Sequence, residues 1–282
     1  MSQVAIQMRR MLREDLGFGK TLVIQSNWNQ TQADWLRFLG LQPNGCFIAT
    51  LSGQLAGTAT TCVFDRVGWI AMVLVDAKFR RQGVGRALLG QALSYLENQG
   101  TESVCLDATP MGEPLYRSLG FAPQFKLARF SGSAARHCSH PRNMRAQSDD
   151  LQEVFTLDQQ VVGYDRSSLL KELCKHRSNS LATYGTDLGI GGFVITRPGR
   201  VASQVGPCIA NSTEAGETLV EKAISGCVGE VFIDIPLGNR AAVNKAASLE
   251  LTPAREFVRM CRGRPVEERI DKLWCSSGPE MG

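Results

Sequence analysis

No apolar run in this sequence approaches the roughly 18 residues that a membrane-crossing helix requires; the longest, Trp69 to Val75, has seven. The start, Met1-Ser2-Gln3 followed by the Arg9-Arg10 stretch, lacks the apolar segment of a signal peptide, so no secretory leader is expected. No Cys-x-x-Cys pair occurs, and the nine cysteines are odd in number and scattered. That pattern speaks against a disulfide scaffold and for reduced, mostly buried thiols in a cytoplasmic protein. An excess of one charge is also missing. Lys and Arg number 31 against 27 Asp and Glu, so 31 − 27 = +4, too little and too evenly spread to predict a nucleic-acid or membrane partner. What remains is 282 residues, 43% hydrophobic and 21% charged. That composition supports a real core and one large or two ordinary domains.

Along the chain, Val4 to Met8 is a short β-like run. Cys46–Leu51 and Gly57–Val63 are β-rich, with a hairpin turn expected at Ser52-Gly53-Gln54. Thr31 to Asp34 pairs a hydroxyl with a carboxylate three residues on, the pattern of a capped helix start. The apolar strand Trp69–Val75 leads through a glycine-bearing loop to a helix with Val84, Leu88, Ala92 and Leu96 at helical spacing. A strand at Val104–Leu106 and a short helix before Phe121 follow. Residues 131–142 lack periodicity and are rich in small and turn residues, which predicts a linker. Beyond it, a helix is expected from Asp165 with that residue or a following serine as its cap. Strands are expected between Leu181 and Ala210, broken at Gly189, Gly191-Gly192 and Pro198-Gly199.

The second half faintly repeats the first. Ser118-Leu119-x-Phe121-x-Pro123 aligns with Ser248-Leu249-x-Leu251-x-Pro253, an offset of 249 − 119 = 130 that also places Arg129 on Arg259. Asp107 meets Asp234 at 234 − 107 = 127, and Gly85-x-x-Leu88 meets Gly216-x-x-Leu219 at 216 − 85 = 131. Similar offsets in constant order predict a duplicated domain. The division expected is 1–130, a linker at 131–142, and 143–282.

The segment most loaded with chemistry runs from Val73 to Leu89. A strand ends in a basic loop with two glycines, and a helix begins inside that loop. Unpaired amides and the positive dipole end of a helix start attract phosphate. Gly83 and Gly85 let backbone approach a ligand closely, and Arg80, Arg81 and Arg86 add charge. The plainer reading is a glycine-kinked surface turn with solvated arginines. A dinucleotide fingerprint is excluded because Leu88 stands where a third glycine belongs, and no Gly-Lys-Ser/Thr exists for a Walker loop. Arg80-x-x-Gly83-x-Gly85, with Leu115-Tyr116-Arg117-Ser118-Leu119-Gly120-Phe121 downstream, resembles the GNAT superfamily of acyl-CoA-dependent acyltransferases over about residues 4 to 130.

The resemblance implies an α/β fold of the α+β kind: tandem GNAT-like domains, each a mostly antiparallel twisted sheet flanked by helices. It implies acetyl-CoA between splayed fourth and fifth strands, its pantetheine along Val73, Leu74 and Val75. Its pyrophosphate would lie on Arg80, Arg81, Gln82, Gly83, Val84, Gly85 and Arg86. It implies direct acetyl transfer to an amine of a small molecule or peptide, with Tyr116 in the position of the family's general acid. A packed amphipathic tyrosine is the structural alternative for Tyr116. Asp107 and Glu113 are both conceivable bases, and the base stays unassigned.

No metal is expected. Cys138 with His137 and His140 supplies at most three ligands in the linker, and only three histidines exist in the chain. In the second half Arg80 aligns with Asn211, Gly83 with Glu214 and Tyr116 with Ala246. A carboxylate at the phosphate position repels the ligand, so that half is expected to keep the fold and lose the chemistry. Alternatives of other classes are a non-catalytic acyl-CoA-binding module and a purely structural protein. A homodimer is left open.

Overall fold

The computed structural model describes residues 5–134, 144–145, 151–176, 179–187 and 189–282. Packing divides the chain into two compact units between Leu106 and Asp107.

The first unit runs through β1 (Ile6–Arg10), α1 (Leu16–Gln25), α2 (Gln32–Leu41), β2 (Cys46–Leu51), β3 (Gln54–Phe64), β4 (Val67–Val75) and α3 (Val84–Asn98). It ends within β5 (Ser103–Ala108). Neighbouring strands follow the order β1-β2-β3-β4-β5, antiparallel except for the parallel pair β4–β5. The β2–β3 hairpin turns at Ser52 and Gly53, both with positive φ (53° and 74°), as a two-residue turn matching strand twist requires. At α2 the predicted cap forms: Asp34 Oδ2 accepts from the Thr31 amide at 2.7 Å and from its hydroxyl at 2.9 Å. α3 buries Val84, Leu88, Leu89, Ala92, Leu93 and Leu96, each leucine contributing about 1.5–3 kcal/mol. It sits so close to the sheet that a Cβ on Gly57 would lie 2.9 Å from Leu88 Cδ1.

The second unit contains α4 (Glu113–Ser118), β6 (Ala122–Ser133), β7 (Met144–Arg145), α5 (Leu151–Val162), α6 (Ser167–Lys175), β8 (Ser180–Thr186), β9 (Gly189–Arg197) and β10 (Ser203–Ala210). α7 (Thr213–Ser225), β11 (Glu230–Pro236), α8 (Arg240–Ser248), β12 (Thr252–Gly263) and β13 (Leu273–Cys275) complete it. Its strands follow β12-β6-β11-β10-β9-β8-β7, with β13 attached to β10. Only β10–β11 is parallel. The architecture is the mixed α/β one expected, mostly antiparallel and flanked by helices.

β6 explains why the compact units divide ahead of residues 131–142. Both its ladder partners, β11 and β12, come from the second sequence repeat, and Ser131–Ser133, expected in the linker, continue the strand. Residues 135–143, with the His137-Cys138-Ser139-His140 cluster, lie outside the described residues.

Other departures have local causes. α5 is not announced by the sequence pattern. Its buried face includes a carboxylate, Asp158, which is satisfied by two hydrogen bonds from buried Arg166 at 2.8 and 2.9 Å. Arg166, not Asp165 or a serine, takes the cap position of α6, while Asp165 Oδ1 accepts from the Ser167 amide at 2.7 Å. Gly191 and Gly192 lie inside β9 instead of breaking it. A Cβ on Gly192 would lie 2.7 Å from the Ile209 carbonyl, so there glycine permits close strand contact. The eight described cysteines are thiols outside any disulfide, six of them buried.

Candidate active site

The end of β4 is shaped by a bulge. Thr58 pairs with Leu74 and Thr60 with Ala71, so Met72 and Val73 together face Ala59. Met72 takes φ +50°, a conformation that costs energy for a residue with a Cβ. Its carbonyl accepts from the buried Thr58 hydroxyl at 2.8 Å. On its other side β4 pairs with β5 only from Val67–Trp69 to Ser103–Cys105. Val73, Leu74 and Val75 therefore carry no ladder partner on the β5 side among the described residues. Nothing about a methionine signals this bulge in sequence.

The loop beyond β4 is held from below. Asp76 is buried; its carboxylate accepts from the Lys78 amide at 2.9 Å and from Gln25 Nε2 at 3.3 Å. This caps a single 3₁₀ turn, Ala77–Phe79. Arg80 Nε returns to the Val75 carbonyl at 3.3 Å, and Gln82 Nε2 donates to the Lys78 carbonyl at 3.0 Å. Arg81 (φ +61°) and Gly83 (φ +84°) both adopt left-handed backbone. Gly83 is the N-cap of α3 and brings no side chain to cap its amides. The first helical bond runs from the Ala87 amide to the Gly83 carbonyl at 3.0 Å, so the Val84, Gly85 and Arg86 amides precede the helical ladder. Arg80, Arg81, Gln82, Gly83 and Arg86 are exposed, whereas Val84 is buried. The structure thus brings all ten loop and strand candidates together in the first unit.

Tyr116 lies in the second unit, on α4. Its ring meets Phe121 edge-on at 6.0 Å and covers Gly112, where a Cβ would lie 2.8 Å from Tyr116 Cε2. Gly120 takes φ +85° and ends the helix, and the Phe121 amide returns to the Tyr116 carbonyl at 3.2 Å. The Leu-Tyr-x-x-x-Gly-Phe segment is therefore one short helix stopped by its glycine. Burial pushes the phenol up to about 12. Among the described residues its hydroxyl has no hydrogen-bond partner.

Both carboxylates considered as bases are committed elsewhere. Asp107 receives two hydrogen bonds from Arg259, at 2.6 and 3.0 Å, and Arg259 also donates to Glu268 twice at 2.7 Å. Burial raises the Asp107 carboxyl, with Arg259 opposing the shift. Glu113 pairs with Arg117 one turn on, at 2.6 Å.

The second copy can be superimposed by its buried faces. Val84, Leu88, Leu89, Ala92 and Leu93 of α3 correspond to Ala215, Leu219, Val220, Ala223 and Ile224 of α7, each at 215 − 84 = 131. In that register α7 starts two residues earlier than α3. Glu214, the counterpart of Gly83, stands in its first turn, and Ser212 caps the helix by accepting from the Ala215 amide at 3.2 Å. Trp274 packs directly on Gly216. The amides that precede the ladder in α3 are thus satisfied internally in α7, and Ala246 stands where Tyr116 does.

Comparison with known proteins gives the same two-copy picture. Residues 8–121 match the acetyltransferase (GNAT) family, and residues 154–275 match a further acetyltransferase (GNAT) domain. The chain belongs to the GNAT superfamily of acetyltransferases. It is similar to the uncharacterized N-acetyltransferase YitH of Bacillus subtilis, 23% identical over 75% of this chain and 76% of that protein. It is also similar to holothin acyltransferase of Pseudoalteromonas, 22% identical over 92% and 88%. A solved structure from Pyrococcus horikoshii, described as a candidate acetyltransferase, shares the fold at TM-score 0.87 and 21% identity, covering 98% of this chain and 96% of that one.

GNAT acetyltransferases in general use acetyl-CoA. The residues present suit it: the end of β4 offers backbone without a ladder partner on the β5 side, and the α3 start offers amides without a side-chain cap among three arginines. Among the described residues no group of three or more His, Cys, Asp or Glu could hold a metal ion. No described helix is long and apolar enough to cross a membrane.

Proposed function

We propose that this GNAT protein is an acetyl-CoA-dependent N-acetyltransferase acting on an amine of a small molecule or a peptide. The observation that carries the reading is the contrast between its two helix starts. α3 opens on left-handed Gly83 with amides uncapped, whereas α7 caps its own amides with Ser212. The similarity to a relative named an N-acetyltransferase supports an amine as acceptor.

Bound acetyl-CoA supplies an acetyl thioester, a carbonyl activated toward amines. The backbone of Val73, Leu74 and Val75 would hold its amide-bearing arm by strand-like hydrogen bonds. The amides around Gln82, Gly83, Val84 and Gly85, with Arg80, Arg81 and Arg86, would hold its phosphates by charge-assisted hydrogen bonds. Tyr116 Oη would carry the proton that the departing sulfur takes up; a phenol of ordinary pKa about 10 holds that proton at neutral pH, and burial raises it further. Asp107 and Glu113 hold arginines, so the amine proton is left to water.

The test is amine-dependent release of free thiol from acetyl-CoA across a panel of amines, polyamines and peptide N-termini. Release that rises with one acceptor class supports the reading. Saturable acetyl-CoA binding without amine-dependent release contradicts it.

A further inference from the structure

The parallel strands β10 and β11 reproduce the geometry of β4 and β5. Their ladder covers only Ser203–Val205 against Val231–Ile233, and β10 then bulges between Val205 and Cys208, as β4 does at Met72 and Val73. In the second copy, however, the edge beyond the ladder is taken. β13 pairs antiparallel with β10, Cys208 against Cys275 and Ile209 against Leu273. The Ala210 amide donates to the Lys272 carbonyl at 3.1 Å, and the Ser276 amide donates across to the Asp234 carbonyl of β11 at 2.9 Å. One segment thus bridges both strands where they part.

The same segment is fastened along its length. The Ser276 carbonyl abuts Gly206 in the bulge, and Trp274 lies on Gly216 at the start of α7. Buried Arg197 pairs with buried Glu280, and buried Arg166 donates to the Gly282 carbonyl at 2.6 Å. Trp274, Cys275, Ser276 and Ser277 are 1% exposed or less.

We propose that residues 273–282 occupy, in the second copy, the slot assigned to the cosubstrate arm in the first. The second copy has become a receptor for an extended peptide strand, filled by this chain's own segment and closed to acyl-CoA. An extended peptide and pantetheine present the same amide donors and acceptors to a strand edge, so a bulged edge that suits one suits the other. The analogy with the first copy rests on the cosubstrate reading above.

The test combines calorimetry with hydrogen–deuterium exchange on the full chain, with and without saturating acetyl-CoA, and on Ser276→Pro. One equivalent of acetyl-CoA is expected. Amides of 205–210 and 273–277 should exchange slowly and equally in both states, while those of 73–75 and 83–86 slow on addition. Ser276→Pro removes the amide that reaches Asp234 and should lose protection at 273–277. Binding of a second equivalent, a change at 273–277 on adding acetyl-CoA, or fast exchange there in the free protein overturns the proposal. Unaltered exchange at 273–277 in a folded Ser276→Pro protein also overturns it. A lack of change at 73–86 rejects the cosubstrate reading instead, and closure of the second copy is then decided by exchange at 273–277.

Discussion

Arg129 and Asp234 form a buried pair that joins the two sequence repeats: two hydrogen bonds of 2.8 Å run from the guanidinium to the carboxylate. Its counterpart is Arg259 with Asp107. In each case the arginine of one repeat's last strand reaches the aspartate of the other repeat's fifth strand. Leu127 faces Phe257 in the β6–β12 ladder, with Arg129 opposite Arg255 and Phe125 opposite Arg259. As 257 − 127 = 130, equivalent positions face each other, and the last strands of the two repeats are exchanged about that point.

Truncating one partner of the Arg129–Asp234 pair leaves a buried charge uncompensated. Asp234→Leu should lower unfolding stability by roughly 3–5 kcal/mol. Arg129→Met combined with Asp234→Leu should recover a substantial part of that loss. Urea denaturation of the single and double variants measures both; equal losses would mean that the pairing itself contributes nothing.

The exchange of last strands bears on dissection of the chain. A fragment of residues 1–130 keeps most of β6 but removes both β11 and β12, leaving two unpaired strand edges. It should be insoluble or aggregate on purification. A soluble, cooperatively unfolding 1–130 fragment would show that β6 does not need those partners.

Tyr116→Phe should lower kcat by roughly 10²–10⁴-fold, the usual contribution of a positioned acid, with acetyl-CoA affinity unchanged because the ring still packs on Phe121. Burial pushes the phenol up to about 12 in the free protein, so loss of its proton should give kcat/KM no alkaline limb below about pH 10. Near-wild-type turnover of the variant from pH 6 to 10 would remove Tyr116 from the chemistry.

Gly112→Ala tests whether the placement of that hydroxyl matters. The added methyl would lie 2.8 Å from Tyr116 Cε2 and must push the ring aside. A fall in kcat with KM for acetyl-CoA unchanged is the expected split. A rise in KM alone would place the ring in cosubstrate binding.

Much of this was legible in the residues, and the parts that were not have physical reasons. The Thr31–Asp34 cap, the Ser52-Gly53 turn and the buried stripe of α3 depend on neighbours in sequence, so local pattern revealed them. The Gly83 and Gly120 positions were legible because only glycine enters left-handed backbone cheaply. Met72 was not, because its strained φ is imposed by the facing strand and Thr58. α5 escaped because its buried Asp158 interrupts an apolar face, and only Arg166 explains it. The aligned Asp107/Asp234 and Arg129/Arg259 marked the duplication, but equivalence in sequence does not reveal that the pairs form crosswise. Nor did Leu273–Ser277 announce that they would fill a strand edge.

Calorimetric titration of acetyl-CoA into wild-type protein and Gly83→Glu tests the cosubstrate site most directly. The substitution places a carboxylate at the α3 start, copying Glu214, where the nearest atom to a Cβ is Ile6 Cδ1 at 3.7 Å. There is space for it, although left-handed backbone will strain it. Saturable binding by wild type and none by a Gly83→Glu protein of native circular dichroism is the predicted result. Unchanged affinity in that variant would contradict the assignment of acetyl-CoA to this loop.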